Sequence, residues 1–319
     1  MQLGWIDFSP NHRKRLESIM DLFQEKQVLD ELGLGIIRDA FANMLFPGTT
    51  TIQTRARYFL IVPWCMQEIE RDKGKVRDYR KNLYELEYRL IDTLCQGEDL
   101  HGVIGKNSRR NLKRKPSSIY WNGIKTYGII KWPGSMEAYL QYIRKSNLVA
   151  SESFKRFDEQ EDEDESVVLW ASVPTPPEDW KDTLTLRLSN EEADFLRRQI
   201  IHHCKDSLWA KILEAKKYEV LDYPSIEPLE MDQSLTEEMR QLVYQAVQFN
   251  ELMKGALIFY NLKVRELLGL ATPGPLQDAW QKYLSNMESF RWEEWETVRL
   301  WDRFPHIDLN TRHFTATWI

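Results

Sequence analysis

Apolar side chains recur along most of this chain at the three- and four-residue spacing of a helix with one buried face. Ser9-Pro10 places a cap and a first-turn proline ahead of Leu16, Ile19, Met20 and Phe23, which predicts an opening helix. A second is predicted from Ile36 to Leu45, stopped by Pro47-Gly48. Thr49, Thr50 and Thr51 offer caps for a third, carrying Ile52, Ala56, Phe59 and Val62. Pro63 lacks a backbone donor and clashes with the turn before it, so a kink or interruption is expected there before the pattern resumes towards Lys73-Gly74. Val76 to Leu94 reads as a helix through Leu83, Leu86, Leu90 and Leu94. An aromatic helix is predicted from Ile119 to about Ile129, and a short one from Pro133-Gly134-Ser135 to near Arg144.

The second half continues in the same way. Ser166 to Ser172 reads as a short strand or an extended tether. Ser189-Asn190-Glu191-Glu192 is a capping box for a helix reaching about Cys204, and Asp206 to Lys217 suits another. After a proline-containing loop, Asp222 to Asp232, Ser234-Leu235-Thr236-Glu237 reads as a second capping box. It opens the longest pattern, through Leu242, Val243, Ala246, Phe249, Leu252 and Leu257 to Leu268, with Gly255 inside as the mark of a close approach or a break. Thr272-Pro273-Gly274-Pro275 is a turn. Beyond it lie Trp280, Trp292, Trp295, Trp301 and Trp318, which read as a dense core in preference to an interface. The expected fold class is mainly α, multi-helical, with little strand.

Charge divides this pattern. Asp158 to Glu165 is an acidic block apart from Gln160, and Pro174, Pro176 and Pro177 follow it. Like charges this dense favour a solvated segment, so the main break is expected here. The chain then reads as two helical subdomains: an N-terminal helical domain over 1–150, an acidic, proline-rich connector over 151–182, and a tryptophan-rich helical domain over 183–319. The 106–115 stretch is the opposite block, six of its ten residues being Lys or Arg, in a chain of formal net charge −6. With 42% hydrophobic and 29% charged residues the composition is that of a globular protein. No apolar run approaches the ~20 residues of a membrane helix. The opening Met1 to Asp7 lacks a basic start and apolar core, and the odd, scattered set Cys65, Cys95 and Cys204 suits reduced thiols. A cytoplasmic protein without membrane association is expected.

The chemical motifs are sparse. Glycine-rich phosphate loops, a nucleophile elbow and paired Cys-x-x-Cys knuckles are missing from the sequence, so no cofactor, metal ligand or catalytic residue is assigned. His202-His203-Cys204 is a His/Cys cluster, but helix neighbours diverge by about 100° and are better read as surface histidines beside a core cysteine. Asp206, Glu214 and Lys216 loosely resemble a metal-dependent nuclease set, yet a helical pattern turns Glu214 and Lys216 apart and favours a solvated face. Arg55 and Arg57 are suited to clamping phosphate or carboxylate. The favoured reading pairs them with acids of the same domain, such as Asp39. The basic block, with Lys106, Arg109, Arg110, Lys113, Arg114 and Lys115, can track a phosphate backbone, and Tyr120 beside it can stack on an exposed base. The competing reading is a solvated loop that meets the acidic block or an acidic partner.

Three segments carry a resemblance: Leu3 to Ser9, Gly35 to Leu60 with its Leu45-Phe46-Pro47-Gly48-Thr49-Thr50-Thr51 core, and Pro116-Ser117-Ser118-Ile119-Tyr120-Trp121. The chain resembles an uncharacterised bacterial family whose members are encoded near helicases and other phage-defence genes. The resemblance implies a setting in antiviral defence or DNA metabolism, with protein partners in a defence complex, a helicase among them. It carries no site residues. Three readings follow: a non-catalytic component that contacts DNA or RNA or a nucleoprotein, a divergent metal-dependent nuclease, and a protein-interaction scaffold.

Overall fold

The computed structural model describes residues 34–71, 78–153 and 169–288. The opening helix, the end of the third near Lys73-Gly74, the acidic block and the last four tryptophans lie outside the described residues. Those described are mainly helical, and they divide into two compact units, one within 46–216 and a second built from 34–45 with 217–288.

The 46–216 unit is organised around α2. Helix α1 is Leu34–Leu45 and α2 is Tyr58–Arg71. In α2 the buried set is nearly continuous from Tyr58 to Met66 and adds Ile69, as expected of a helix covered on every side. The interruption expected at Pro63 does not occur: one lost backbone donor is outweighed by burial all round. Helix α3, Tyr79–Leu94, opens on Asp78, whose side chain accepts from the Lys81 N–H at 3.0 Å. It packs Leu83, Leu90, Ile91 and Leu94 inward, with Glu87 among them. Helix α4, Pro116–Thr126, starts on proline and buries Tyr120, Trp121 and Ile124. Helix α5, Met136–Ser153, packs on α3.

Gly123 sets how closely α4 approaches its neighbours. A Cβ there would lie 2.4 Å from the Gly48 carbonyl oxygen and 2.6 Å from the Phe59 ring. Helix propensity alone favours alanine over glycine by about 1 kcal/mol. The backbone contact decides otherwise, and Gly123→Ala is expected to lower stability by about 1–3 kcal/mol, as overpacking does. Urea unfolding checks the sign, and a gain in stability would mean that the Pro47-Gly48 turn yields freely.

The proline-rich stretch does not separate domains. Trp170 forms an isolated antiparallel bridge with Ile130, and its indole donates to Glu70 at 2.7 Å. Tyr139 donates to the same carboxylate. The Trp64 indole donates to the Pro174 carbonyl at 2.7 Å, and its ring meets Trp180 at 5.5 Å. Trp180 opens the short α6, Trp180–Thr183, which packs on α3. Composition marks 174–177 as extended, which it is, but Trp170 and Trp180 anchor both flanks in one core. The boundary expected over 151–182 therefore falls inside a single compact unit.

Helix α7, Asn190–His203, has the full capping box expected: Glu192 N–H donates to the Ser189 hydroxyl, and Ser189 N–H donates to the Glu192 carboxylate. Helix α8, Leu208–Ala215, is capped by Ser207 and packs against α7.

In the second unit α1 packs on α9, Glu237–Leu267, with the rings of Phe41 and Phe249 5.8 Å apart. The cap of α9 is Thr236, which accepts from Met239 N–H, whereas Ser234 bonds to Asp232. The box expected at Ser234 is thus shifted to a simple threonine cap, because the helix starts later. Gly255 marks a close approach: a Cβ there would sit 1.9 Å from the Tyr283 ring of α10, Gly274–Met287. Phe259, Trp280 and Tyr283 continue that seam.

Candidate functional site

The basic block lies on the loop between α3 and α4, and the loop is fastened at several points. Val103 and Ile104 are buried, and Ile104 N–H donates to the Tyr58 hydroxyl at 3.0 Å. Thr54 donates to the Gly102 carbonyl at 2.6 Å and Arg55 to the His101 carbonyl at 3.0 Å. Gly102 turns the chain there with a φ of +79°, open to glycine at little cost. At the far end Ser117 donates its N–H and hydroxyl to Glu87.

Within this frame the six cations fall into two sets. Arg109, which adopts a positive φ of 46°, donates to Asp92 at 3.0 Å. Arg110 donates to Glu85 at 2.9 Å, and its guanidinium lies 5.3 Å from the Tyr88 ring centre. Lys115 donates to the Leu112 carbonyl and covers Tyr84, 4.7 Å from its centre. The side chains of Lys106, Lys113 and Arg114 are exposed and have no partner among the described residues. The two arginine–carboxylate pairs are themselves solvent-exposed, so each contributes at most about 1 kcal/mol and gives way readily to another anion.

Tyr120 does not belong to this surface. It is 0% exposed, its hydroxyl accepts from Thr54 and Arg55 N–H groups, and it donates to the Arg55 carbonyl at 2.9 Å. Its ring packs on Tyr58 and Phe59. The stacking role expected for Tyr120 is corrected: the residue is a core strut, and Trp121 and Tyr127 are buried beside it. The aromatics that do meet the basic loop are half-buried Tyr84 and Tyr88. Their i, i+4 spacing on α3 was the sequence signal for a shared face.

Arg55 and Arg57 pair within the unit, though not with Asp39, whose partner is Arg38. Arg55 meets Asp99 at 3.0 Å. Arg57 meets Glu192 at 2.7 Å and also donates to the Thr185 carbonyl and hydroxyl. Asp206, Glu214 and Lys216 converge on nothing: Glu214 pairs with Lys211, and Lys216 ends α8 in a left-handed conformation. His203 lies against Gly128, and partial burial, then His202, pushes its pKa below the ordinary value. Among the described residues no group of three or more His, Cys, Asp or Glu side chains is arranged to hold a metal ion. None of the helices among them is long and apolar enough to cross a membrane.

The model of DUF6361, a family of unknown function, matches residues 1–298. The chain belongs to this family. No curated protein and no solved structure matches it. The uncharacterised family indicated by the three sequence segments is therefore found, and what this DUF6361 chain does has to be read from its own residues.

Proposed function

We propose that this protein is a non-catalytic component of a nucleic-acid-handling assembly that contacts a phosphate backbone through the 106–115 loop. The observation that supports this most directly is the trio Lys106, Lys113 and Arg114, exposed and without a partner among the described residues, on a loop whose ends are buried. A fixed loop holds cations in place at little entropic cost. Arg109 and Arg110, in exposed pairs, can be recruited by phosphate. The contact reads charge and spacing, not sequence. An anti-phage setting and helicase-type protein partners belong to the same proposal and derive from the family resemblance; a cytoplasmic location belongs to it through the scattered cysteines and the want of a long apolar run.

The test is a salt titration of binding to fluorescent single-stranded and duplex DNA and RNA, comparing the parent with Lys106→Ala/Lys113→Ala/Arg114→Ala. Losing three phosphate contacts should flatten the slope of log K against log salt by about 2–3 and weaken binding at least about tenfold near physiological salt. Unfolding should be unchanged. An unaltered slope removes the loop from the interface. Cleavage of the same substrates on adding a divalent metal would instead support the nuclease reading.

A further inference from the structure

On the 46–216 unit a cleft of about 380 Å³, lined by no residue of 106–115, opens between the 49–56 segment, α7 and α8. That volume falls within the ~300–1,000 Å³ typical of small-molecule sites. Its walls are mostly apolar, with Phe59, Leu196, Ile200, Trp209 and Leu213, and the two charged side chains that line it are both arginines. Among the described residues no carboxylate lines it. Arg55 spends its guanidinium on Asp99 and the His101 carbonyl. Arg197 is placed differently. Its Nε donates to the Leu213 carbonyl at 3.0 Å, which fixes the side chain, while its two terminal nitrogens have no partner among the described residues.

We propose that this cleft binds a small ligand with a planar apolar body and one anionic group, the body against Phe59, Ile200 and Trp209 and the anion on Arg197. The commitment to an anion rests on charge complementarity: among the described residues Arg197 is fixed, positive and unpaired at its terminal nitrogens, with no negative group in the wall. The commitment to a planar body rests on the aromatic lining, where flat rings gain contact area and edge or face interactions. The site is independent of the nucleic-acid reading and does not involve the 106–115 loop.

The experiment uses the full chain and three probes of one shape, naphthoate, naphthamide and naphthylmethylamine, followed by calorimetry and by tryptophan fluorescence. Naphthoate is expected to bind more tightly than the other two by about tenfold, the scale of a charge-assisted contact. Ala193→Trp, at an exposed position in the wall, fills the cleft and should abolish binding. Arg197→Gln keeps a donor for the Leu213 carbonyl, so it should erase the preference for naphthoate while naphthamide still binds. DNA binding by both variants should match the parent. The proposal fails if naphthoate does not bind, if the three probes bind alike, or if Ala193→Trp binds as the parent does. Should Ala193→Trp not fold, the probe preference and Arg197→Gln decide the matter alone.

Discussion

Replacing Arg57 by alanine is expected to destabilise the protein by about 3–5 kcal/mol, the usual cost of breaking a buried ion pair from one side. The Arg57 side chain is 12% exposed and that of Glu192 7%. Two guanidinium nitrogens reach one Glu192 oxygen, at 2.7 and 3.2 Å, and the third serves Thr185. The same guanidinium stands 5.7 Å from the centre of the Trp64 ring. The other Glu192 oxygen closes the capping box of α7, so the pair ties the entry of α2 to the entry of α7. Without Arg57 a buried carboxylate is left with only the Ser189 N–H as donor among the described residues. Adding Glu192→Gln should therefore restore a substantial part of the loss, because the stranded charge is gone. Arg55→Ala should cost less, since Asp99 is 69% exposed and water can replace the partner. Chemical unfolding of the parent, Arg57→Ala, Glu192→Gln, the double variant and Arg55→Ala checks this. Parental stability in Arg57→Ala, or strictly additive losses in the double variant, would show that the pair contributes little.

A second large effect is expected from pH. Glu87 is 3% exposed, and burial pushes its carboxyl up to about 7, against the pull of the Ser117 N–H and hydroxyl and, more weakly, of Lys115. Between the ordinary value of 4.5 and about 7, the folded chain keeps a proton that the unfolded chain has released. Stability must then fall as pH rises through that window, the reverse of a salt-bridged carboxylate. The full difference is on the order of 3 kcal/mol. Glu87→Gln preserves the geometry: its carbonyl accepts from the Ser117 N–H and its amide donates to the hydroxyl. The variant should match the parent near pH 5, exceed it near pH 8, and show a flatter melting profile between them. Glu87→Ala should be less stable throughout, because it opens a cavity and strips the cap from α4. An identical pH profile for parent and Glu87→Gln would mean that Glu87 stays ionised in the fold.

What the sequence disclosed follows from how local each signal is. The apolar continuity of Tyr58 to Met66 announced a covered helix, and Ser189 with Glu192 announced a start, because both depend on neighbours within one or two turns. Gly255 could be flagged for the same reason. Tyr120 could not be placed, since its hydroxyl answers a turn some sixty residues earlier. The basic block was legible as charge, but the division into paired and unpaired cations depends on Glu85 and Asp92 of the preceding helix. The acids of Arg55 and Arg57 were equally remote. The compact units escaped notice because composition does not change at Leu45-Phe46 or Lys216-Lys217, whereas it changes sharply where the chain merely runs extended.

The nesting of one unit within the other has a consequence during synthesis. Segment 46–216 is continuous and can close on itself as soon as it has left the ribosome. Helix α1 cannot: Phe41 meets Phe249 only after roughly 200 more residues have been made, an interval of about 10–40 s at the usual elongation rates of ~5–20 residues per second. Through that interval α1 lacks its native contact with α9. A nascent chain stalled after residue 216 would carry a finished 46–216 unit and an α1 without its α9 partner, the form in which a ribosome-bound chaperone would meet it.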